Sequence, residues 1–287
     1  MSTVRLSKLQ ATGNDFLVWS RLDASADAAP IGAATAAVLC DRHGGVGADG
    51  LIVMTAGRDG ADVGMLLYNA DGQVAEMSGN GIRCLAWAAV RAGLGDGELV
   101  VDTGAGRRQV EYMVDPNGGL SYANVDMGPV TFEPAEIPLD APSAFDLTAE
   151  FHGVEYRGDA AGMGNPHLVL FVDDPTTARV AQHGPRLEHD ARFPRRTNVE
   201  FVAVTAPDEI TMRVWERGVG ETLSCGTGAC ASAAVAHRRG LVGSHVEVHV
   251  PGGDLVVDLG ETVRLGGPVV HVFDVELDAT LRPEDAP

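Results

Sequence analysis

Two short polar turns carry the side chains best suited to proton transfer in this chain. Ser78 opens the sequence Ser-Gly-Asn-Gly, and Cys225 opens Cys-Gly-Thr-Gly. A helical pattern follows each turn, so both side chains should lie at helix N-termini, where unpaired N–H groups and the helix dipole favour negative charge. We therefore expect the pKa of Cys225 to fall from about 8.5 into a range of roughly 3.5–7.5, which would make the thiol a base or nucleophile near neutral pH.

The two turns are copies of one motif. Residues 68–94 and 215–241 match without gaps at a spacing of 147 residues, with their glycines in register. Two glycine-rich helix starts could hold one carboxylate between them. Two acid/base atoms, one from each copy, also suit inversion at carbon, because one removes a proton from one face while the other delivers a proton to the opposite face. An isolated Cys-Gly-Thr-Gly would more often be a tight turn around a buried cysteine, but the duplication favours catalysis.

Further polar residues stand at the ends of predicted strands. Glu216 and Arg217 precede Cys225 by nine and eight residues. The carboxylate could hold a substrate ammonium and the guanidinium a distal carboxylate, although a surface ion pair is the alternative. His167 could orient or activate a thiolate, or be structural. Four asparagines at strand-to-loop junctions could bind substrate or simply form turns: Asn14, Asn69, Asn165 and Asn198.

Composition bounds the class of protein. A chain of 287 residues exceeds one average domain, so two domains are expected. The net charge of −19 disfavours nucleic acid and anionic membranes as partners. The sequence has neither an apolar run of transmembrane length nor the apolar region of a signal peptide, so a cytoplasmic protein is expected. The oligomeric state is not readable from the residues, and a homodimer stays open.

Several cofactors are disfavoured by residue content. Lys8 is the only lysine and lies in a strand-like segment, which nearly excludes a pyridoxal phosphate enzyme with its Schiff-base lysine. The loop 43–50 lacks the residue order of a nucleotide-binding loop. The four cysteines lack zinc spacing, so neither a metal nor any other cofactor is predicted. Cys40 and Cys84 should pack in the core, without disulfides.

Strands and helices must place these residues. The predicted strands are 3–9, 16–19, 51–54, 63–68, 98–114, 119–127, 168–172, 196–202, 210–215, 245–250, 254–258 and 269–277, with others from about 151. Helices are predicted at 31–40, after Ser78 and at 226–239, while 174–192 is helical or irregular. The first motif helix should bury one stripe: Ile82, Leu85, Ala86, Ala89 and Val90. Residues 115–119 should form a turn, 129–142 a loop and 278–287 a frayed acidic tail.

With these motifs in place, the chain resembles the diaminopimelate epimerase family over almost its whole length. A second internal repeat, Gly-Asn-Asp-Phe-Leu-Val at residue 13 and Gly-Asn-Pro-His-Leu-Val at residue 164, belongs to the resemblance. The segments that carry it are 13–16, 42–50, 69–84, 164–167, 197–201, 216–230 and 251–253.

This resemblance implies a cofactor-independent two-base epimerase that interconverts LL- and meso-diaminopimelate, on the route to lysine and peptidoglycan. It implies an α/β (α+β) fold of two pseudosymmetric domains, 1–123 and 124–269, each a curved antiparallel sheet around a central helix, with the small amino-acid substrate between them. The strand from about 270 is expected to return to the first domain. Carried over by position, Cys225 is one acid/base and the following residues contact the substrate: Asn14, Asn69, Asn165, Asn198, Glu216 and Arg217, and the amides of Gly79, Asn80, Gly226 and Thr227.

Two positions depart from the family pattern. Gly50 stands where the family has glutamine, and Ser78 stands where it has cysteine. Cys84 lies six residues further, about 240° around the helix and 9 Å along it, so it cannot replace that cysteine. A serine hydroxyl is a much weaker acid than a thiol, and losing one general acid/base typically costs about 10²–10⁴-fold in rate. Ser78 could be a weaker or water-assisted partner, a replaced catalytic cysteine, or a sign of one-sided chemistry.

Three functional hypotheses follow. The first is a diaminopimelate epimerase with Cys225 and Ser78 at opposite faces of the substrate, supported by His167 and Glu216. The second is a related racemase or dehydratase for another amino acid, against which Arg217 speaks by favouring a distal carboxylate. The third is a non-catalytic small-molecule binder. Incubation with LL-diaminopimelate in D₂O separates them.

Overall fold

The computed structural model describes residues 4–22, 32–115 and 119–277. Contacts group the described residues into two compact units. One contains those up to Val125 together with those from Gly267 onward, and the other is Asp126–Gly266. The boundaries expected from the sequence, after residues 123 and 269, lie within three residues of these divisions. The turn residues 116–118, Ile31 of the first predicted helix and the acidic tail 278–287 lie outside the described residues.

Eighteen strands and four helices occur in the described part of the chain. The strands of the first half are β1 (Val4–Ala11), β2 (Asn14–Ser20), β3 (Gly50–Ala56), β4 (Val63–Asn69), β5 (Val74–Ala75), β6 (Glu98–Thr103), β7 (Gly106–Val114) and β8 (Leu120–Asp126). Those that follow are β9 (Leu147–Phe151), β10 (Val154–Gly162), β11 (Pro166–Phe171), β12 (Asn198–Ala206), β13 (Glu209–Glu216), β14 (Gly220–Thr222), β15 (His245–Val250), β16 (Gly253–Leu259), β17 (Val263–Pro268) and β18 (Val270–Leu277). The helices are α1 (Ala33–Cys40), α2 (Gly79–Arg91), α3 (Val180–Glu188) and α4 (Gly226–Arg238).

In each unit the strands pair in one continuous series, and the succession of parallel and antiparallel pairings is the same in both. In the first, β18 pairs with β1, which pairs with β2, and the path continues through β3, β4, β6, β7 and β8. In the second, β9, β10, β11, β12, β13, β15, β16 and β17 follow one another. The short strands β5 and β14 form hairpins with β4 and β13. The C-terminal strand β18 thus takes in the first unit the place that β9 takes in the second.

The sheets are mixed, whereas antiparallel sheets were predicted. The pairs β2–β3, β4–β6, β11–β12 and β13–β15 are parallel. Parallel neighbours cannot be joined by a tight hairpin and need a crossover connection. Each crossover here contains one helix, α1, α2, α3 and α4 in turn. The two-fold repeat therefore extends from the motifs to the whole pattern of connections.

The motif helices α2 and α4 are enclosed by their sheets, as the predicted fold requires. Helix α2 contacts β1–β4 and β7, and α4 contacts β10–β13, β15 and β16. The predicted stripe of α2 is buried at Ile82, Leu85, Ala86 and Ala89, with Val90 half-buried. Helix α4 buries nearly every residue from Gly226 to Ala236, and its alanines let the surrounding strands approach closely.

The prediction that Cys40 and Cys84 pack in the core is confirmed. All four cysteines are free and buried, and Cys40 packs with Leu39, Leu51 and Tyr68 in the core of the first unit. Burial raises the pKa of Cys40 to about 11 and that of Cys84 to about 12, as expected for thiols that serve packing.

No helix among the described residues is long and apolar enough to cross a membrane.

Strand β17 is not predicted by the sequence. Its segment, Val-Arg-Leu-Gly-Gly-Pro, contains three residues that strands disfavour. It forms because residues 263–266 pair with β16 in the completed sheet. The region 174–192 resolves into α3 flanked by turns, with Pro185 inside the helix.

Candidate active site

Cys225 lies where the sequence places it, at the N-cap of α4. Its backbone is extended, with φ −127° and ψ 109°, and its Sγ accepts the Gly228 N–H at 3.4 Å. The Thr227 hydroxyl lies 3.6 Å from the same sulfur. The first N–H groups of a helix have no acceptor within the helix, so those of Gly226 and Thr227 can bind an anion. The thiol is therefore beside a potential carboxylate site.

The predicted low pKa of Cys225 is wrong. The residue is only 5% exposed, and this burial raises the pKa of the thiol well above its ordinary value. The carboxylates of Glu216 and Glu200 raise it further, and the hydrogen bonds from Thr227 and Gly228 do not compensate. Burial also raises the pKa of Glu216, whose Oε1 accepts a 2.5 Å hydrogen bond from Thr222. A cation beside these carboxylates would favour the thiolate.

This electrostatic arrangement predicts slow alkylation of Cys225. The rate of reaction with iodoacetamide, followed against pH by peptide mass spectrometry, should have its midpoint above the usual thiol pKa of about 8.5, because only the thiolate reacts. Glu216→Gln should lower that midpoint by removing a nearby negative charge. Glu155→Gln, which changes an exposed glutamate paired with Arg157, is the matched control. An identical midpoint in wild type and Glu216→Gln would contradict this account.

A buried histidine–carboxylate pair is connected to the thiol. His167 Nδ1 lies 2.7 Å from Glu200 Oε1, and both side chains are fully buried. His167 Nε2 lies 2.8 Å from Asn165 Oδ1, and the amide of Asn165 donates to Thr227 Oγ1 at 3.4 Å. Since Thr227 contacts Cys225, a chain of polar contacts runs from Glu200 to the sulfur. The structure therefore brings together four residues that the sequence suggested only separately: Asn165, His167, Cys225 and Thr227.

Glu200 is the member of this chain that sequence reasoning missed. Its Oε1 lies against the first turn of α4, because a Cβ atom added at Gly228 would come within 2.7 Å of it. Its Oε2 is buried without a hydrogen-bond partner among the described residues. The signal was present in the sequence as one carboxylate inside the apolar run of β12. An ionisable residue in such a run requires a partner, and here that partner is His167.

Glu216 is the last residue of β13, and Arg217 begins the turn that follows. The Arg217 N–H donates to Asn198 Oδ1 at 2.9 Å, and its guanidinium donates to the Arg195 carbonyl at 3.3 Å. The Asn198 amide also donates to the Pro166 carbonyl at 2.9 Å. Asn198, predicted to bind substrate, thus accepts the Arg217 N–H with its side-chain oxygen and donates its side-chain amide to Pro166. Its substrate contact stays a prediction.

Ser78 caps α2 as Cys225 caps α4. Its φ of −140° and ψ of 125° are again extended, and its Oγ accepts the Gly81 N–H at 3.0 Å. Beside it, the Asn80 amide donates to Asn14 Oδ1 at 2.5 Å, and Arg83 donates to Asn80 Oδ1 at 2.9 Å. The predicted site residues Asn14, Ser78, Gly79 and Asn80 are therefore close together, while the Asn69 side chain is exposed at the end of β4.

The two motif copies differ in what lies beneath the helix start. A Cβ atom at Gly81 would meet Ile52 Cδ1 at 3.3 Å, where the equivalent atom at Gly228 meets the Glu200 carboxylate. In the strand registers, Phe16 pairs with Gly50 as His167 pairs with Asn198. In the first unit Phe16 therefore stands at the place of His167, and Ile52 stands at the place of Glu200. The Asn80–Asn14 hydrogen bond repeats the Thr227–Asn165 contact, but among the described residues the first unit has no counterpart of the His167–Glu200 pair behind it.

The chain is similar to known proteins over both motif copies. A family model described as diaminopimelate epimerase matches residues 6–133 and 160–270. The chain belongs to the diaminopimelate epimerase family. A protein named diaminopimelate epimerase from Pelotomaculum thermopropionicum is 41% identical over 278 residues, covering 95% of this chain and 98% of that protein. Another of that name, from Alkalilimnicola ehrlichii, is 43% identical over 282 residues, covering 96% and 98%.

Solved structures of other proteins share the fold of this chain. A hydroxyproline epimerase from Agrobacterium vitis, with bound trans-4-hydroxy-L-proline, superimposes with a TM-score of 0.72 at 16% identity and covers 96% of this chain and 92% of its own. A phenazine biosynthesis protein of the PhzF family from Bacillus anthracis gives 0.67 at 14% identity, covering 96% and 99%. At these identities the likeness shows the shared fold alone.

Gly50 leaves no room for the glutamine that the diaminopimelate epimerase pattern has at this position. A Cβ atom there would come within 2.6 Å of the Tyr68 carbonyl oxygen and 3.2 Å of the Phe16 ring. A backbone carbonyl in a paired strand cannot move aside without loss of the β3–β4 hydrogen bonds. The side-chain contact expected from glutamine is therefore absent at Gly50.

Proposed function

We propose that this protein is a cofactor-independent epimerase that interconverts LL- and meso-diaminopimelate, with Cys225 and Ser78 as the acid/base groups at opposite faces of the substrate α-carbon. The observation that carries the proposal is the repeated cap. In each motif copy a side-chain oxygen or sulfur accepts the N–H three residues later, at the start of a helix enclosed by its sheet. Relatives named diaminopimelate epimerase, matched over nearly their whole length, favour this substrate over other amino acids.

The substrate's own charge would prepare the thiol. Its α-carboxylate would accept N–H groups at the helix starts, namely Gly226 and Thr227 of α4 with Gly79 and Asn80 of α2. Its α-ammonium, placed beside Glu216, would offset the negative charge that keeps Cys225 protonated. Cys225 first gives its thiol proton to solvent. The resulting thiolate removes the α-proton, and the electron pair of the C–H bond is delocalised into the α-carboxylate. Ser78 donates its hydroxyl proton to the opposite face and is left as an alkoxide, which regains a proton while the Cys225 thiol loses one before the next turnover. The reverse reaction exchanges these roles.

Specificity would come from the distal end of the substrate. Arg217, on the turn after β13, would bind the distal carboxylate in a bidentate geometry. The amides of Asn14, Asn69, Asn165 and Asn198 would fix the remaining polar groups. His167, paired with Glu200, would keep the Asn165 amide oriented toward Thr227. Under this proposal each cap supplies one acid/base group to the reacting carbon, and Arg217 binds the distal end of the substrate.

The surroundings of Lys8 support a reaction without pyridoxal phosphate. Its ammonium is ion-paired with Asp15 at 2.5 Å, donates to the Gly47 carbonyl and is almost fully buried. Although burial acts to raise the pKa of Asp15, hydrogen bonds from Arg42 and Lys8 lower it to about 2. A lysine held this way is not available for a Schiff base. A cytoplasmic location and a homodimer remain predictions.

The function is tested by incubating the protein with LL-diaminopimelate in D₂O. The expected result is formation of the meso isomer with one deuterium at the inverted carbon, followed by NMR and chiral chromatography. Deuterium uptake without inversion would show one-sided chemistry and refute the two-base assignment. No exchange at all would refute the proposed substrate.

A further inference from the structure

Glu188, the last residue of α3, contacts three segments that build the turn carrying Arg217. Its Oε2 accepts the indole N–H of Trp215 at 2.8 Å, and its Oε1 accepts the backbone N–H of Gly218 at 3.0 Å. The Arg196 guanidinium lies 3.3 Å from the same Oε1. One carboxylate therefore receives hydrogen bonds from the residues at positions −2 and +1 relative to Arg217.

The backbone of Glu188 adds to this arrangement. Its carbonyl accepts the Thr197 N–H at 3.2 Å, just before the start of β12. Thr197 adjoins Asn198, whose Oδ1 accepts the Arg217 N–H. The Arg217 guanidinium donates to the Arg195 carbonyl in the same segment. Glu188 thus contacts both chain segments that bind Arg217, the Trp215–Gly218 turn and the segment before β12.

The carboxylate of Glu188 is built to stay charged in this place. The residue is only 4% exposed, and burial acts to raise its pKa, but the hydrogen bonds from Trp215 and Gly218 lower it below the ordinary value. Hydrogen bonds to a charged acceptor are shorter and about twice as strong as those between neutral groups. Helix α3 is fixed against the turn as well, because Gly184 lies directly on the Trp215 side chain.

We propose that Glu188 is a positioning residue that fixes the Trp215–Gly218 turn and, through Arg217, determines the preference for substrates with a distal carboxylate. The inference rests on the proposed function, because it assigns Arg217 to that carboxylate. Glutamine at this position has a single side-chain oxygen acceptor and an NH₂ group. It can accept only one of the two hydrogen bonds in this geometry, and its NH₂ group faces the other donor. The turn would then lose one fixed point while the Cys225 cap stays intact.

Glu188→Gln tests this role in the full-length protein. We expect the KM for LL-diaminopimelate to rise about ten-fold with kcat changed less than about two-fold, as for lost binding that does not reach the reacting carbon. Glu155→Gln is the control, since it removes an exposed carboxylate elsewhere in the same unit. A similar fall in kcat with unchanged KM would overturn the proposal.

A double-mutant cycle shows whether Glu188 acts through Arg217. Arg217→Ala alone should raise KM, and adding Glu188→Gln should change it less than about two-fold further, because the group being positioned is already gone. A full ten-fold additional rise would overturn the proposal, since it would show an effect that bypasses Arg217.

Amide hydrogen exchange separates failure of this inference from failure of the proposed function. In Glu188→Gln either the Gly218 amide or the Trp215 indole N–H should exchange about ten-fold faster, because glutamine can accept only one of the two, while amides of β16 keep their wild-type rates. Wild-type exchange at both groups in the variant would refute the role of Glu188, whatever the substrate. A wild-type protein that neither inverts LL-diaminopimelate nor exchanges its α-proton would instead refute the proposed function.

Discussion

Replacing Cys225 by alanine is expected to lower the rate of deuterium exchange into LL-diaminopimelate by about 10³-fold, within the range typical for loss of a general acid/base. At the α4 cap the Cys225 Sγ accepts the Gly228 N–H, and alanine leaves no side-chain atom there that can accept a proton. Glu216 has a carboxylate nearby, but Thr222 already donates to it, and its assigned role is to hold the ammonium. The rate is measured by NMR in D₂O.

Two further variants separate acid/base chemistry from helix capping. Cys225→Ser keeps an acceptor for the Gly228 N–H, so it should preserve α4 but remain nearly as slow as the alanine variant, because a serine hydroxyl is a poor base. Cys230→Ala removes a buried thiol from the same helix and should leave the exchange rate within about two-fold of wild type. Activity close to wild type in Cys225→Ala would show that Cys225 is not an acid/base of this reaction.

Replacing Ser78 by cysteine is expected to raise the epimerisation rate by about 10²-fold. The backbone at this cap matches that at Cys225, so a thiol can be accommodated in the same extended conformation. Its surroundings within the first unit differ, since Ile52 and Met65 lie beside Gly81 where a carboxylate lies beside Gly228. The neighbours described there add no negative charge that would raise the pKa of the new thiol, and the helix start should lower it.

Ser78→Ala provides the opposite control. It removes the hydroxyl proton donor and the acceptor of the Gly81 N–H, so it should lower both the epimerisation rate and the free energy of unfolding, the latter by about 1 kcal/mol. Stability is measured by urea denaturation and the rate by formation of the meso isomer. If Ser78→Cys is no faster than wild type, Ser78 is not the second acid/base group.

The sequence predicts the repeated parts of this protein because they depend on local patterns. Helices α2 and α4 follow from periodicity and glycine placement, and the caps at Ser78 and Cys225 follow from their position before those helices. The spacing of 147 residues predicts that both caps share one geometry, and their dihedral angles agree. The family resemblance predicts the fold class, which the comparisons confirm.

Other features depend on contacts between residues far apart in the chain. The mixed sheet arises from helical crossovers, and β17 from pairing with β16 against its own local preference. No pattern near residue 188 predicts that its carboxylate holds the Arg217 turn, because Trp215 and Gly218 lie about thirty residues further along the chain.

The pKa of Cys225 shows the difference most clearly. Local sequence places the thiol at a helix N-terminus, which by itself lowers a thiol pKa. The folded chain buries that thiol and brings the carboxylates of Glu200 and Glu216 near it, and together these raise the pKa instead. Desolvation and charge depend on every group around the sulfur, whatever its distance in sequence. The sequence by itself therefore determined which atom could carry the proton. Only the tertiary structure decided the pKa of that atom, because the pKa depends on the burial and charges around it.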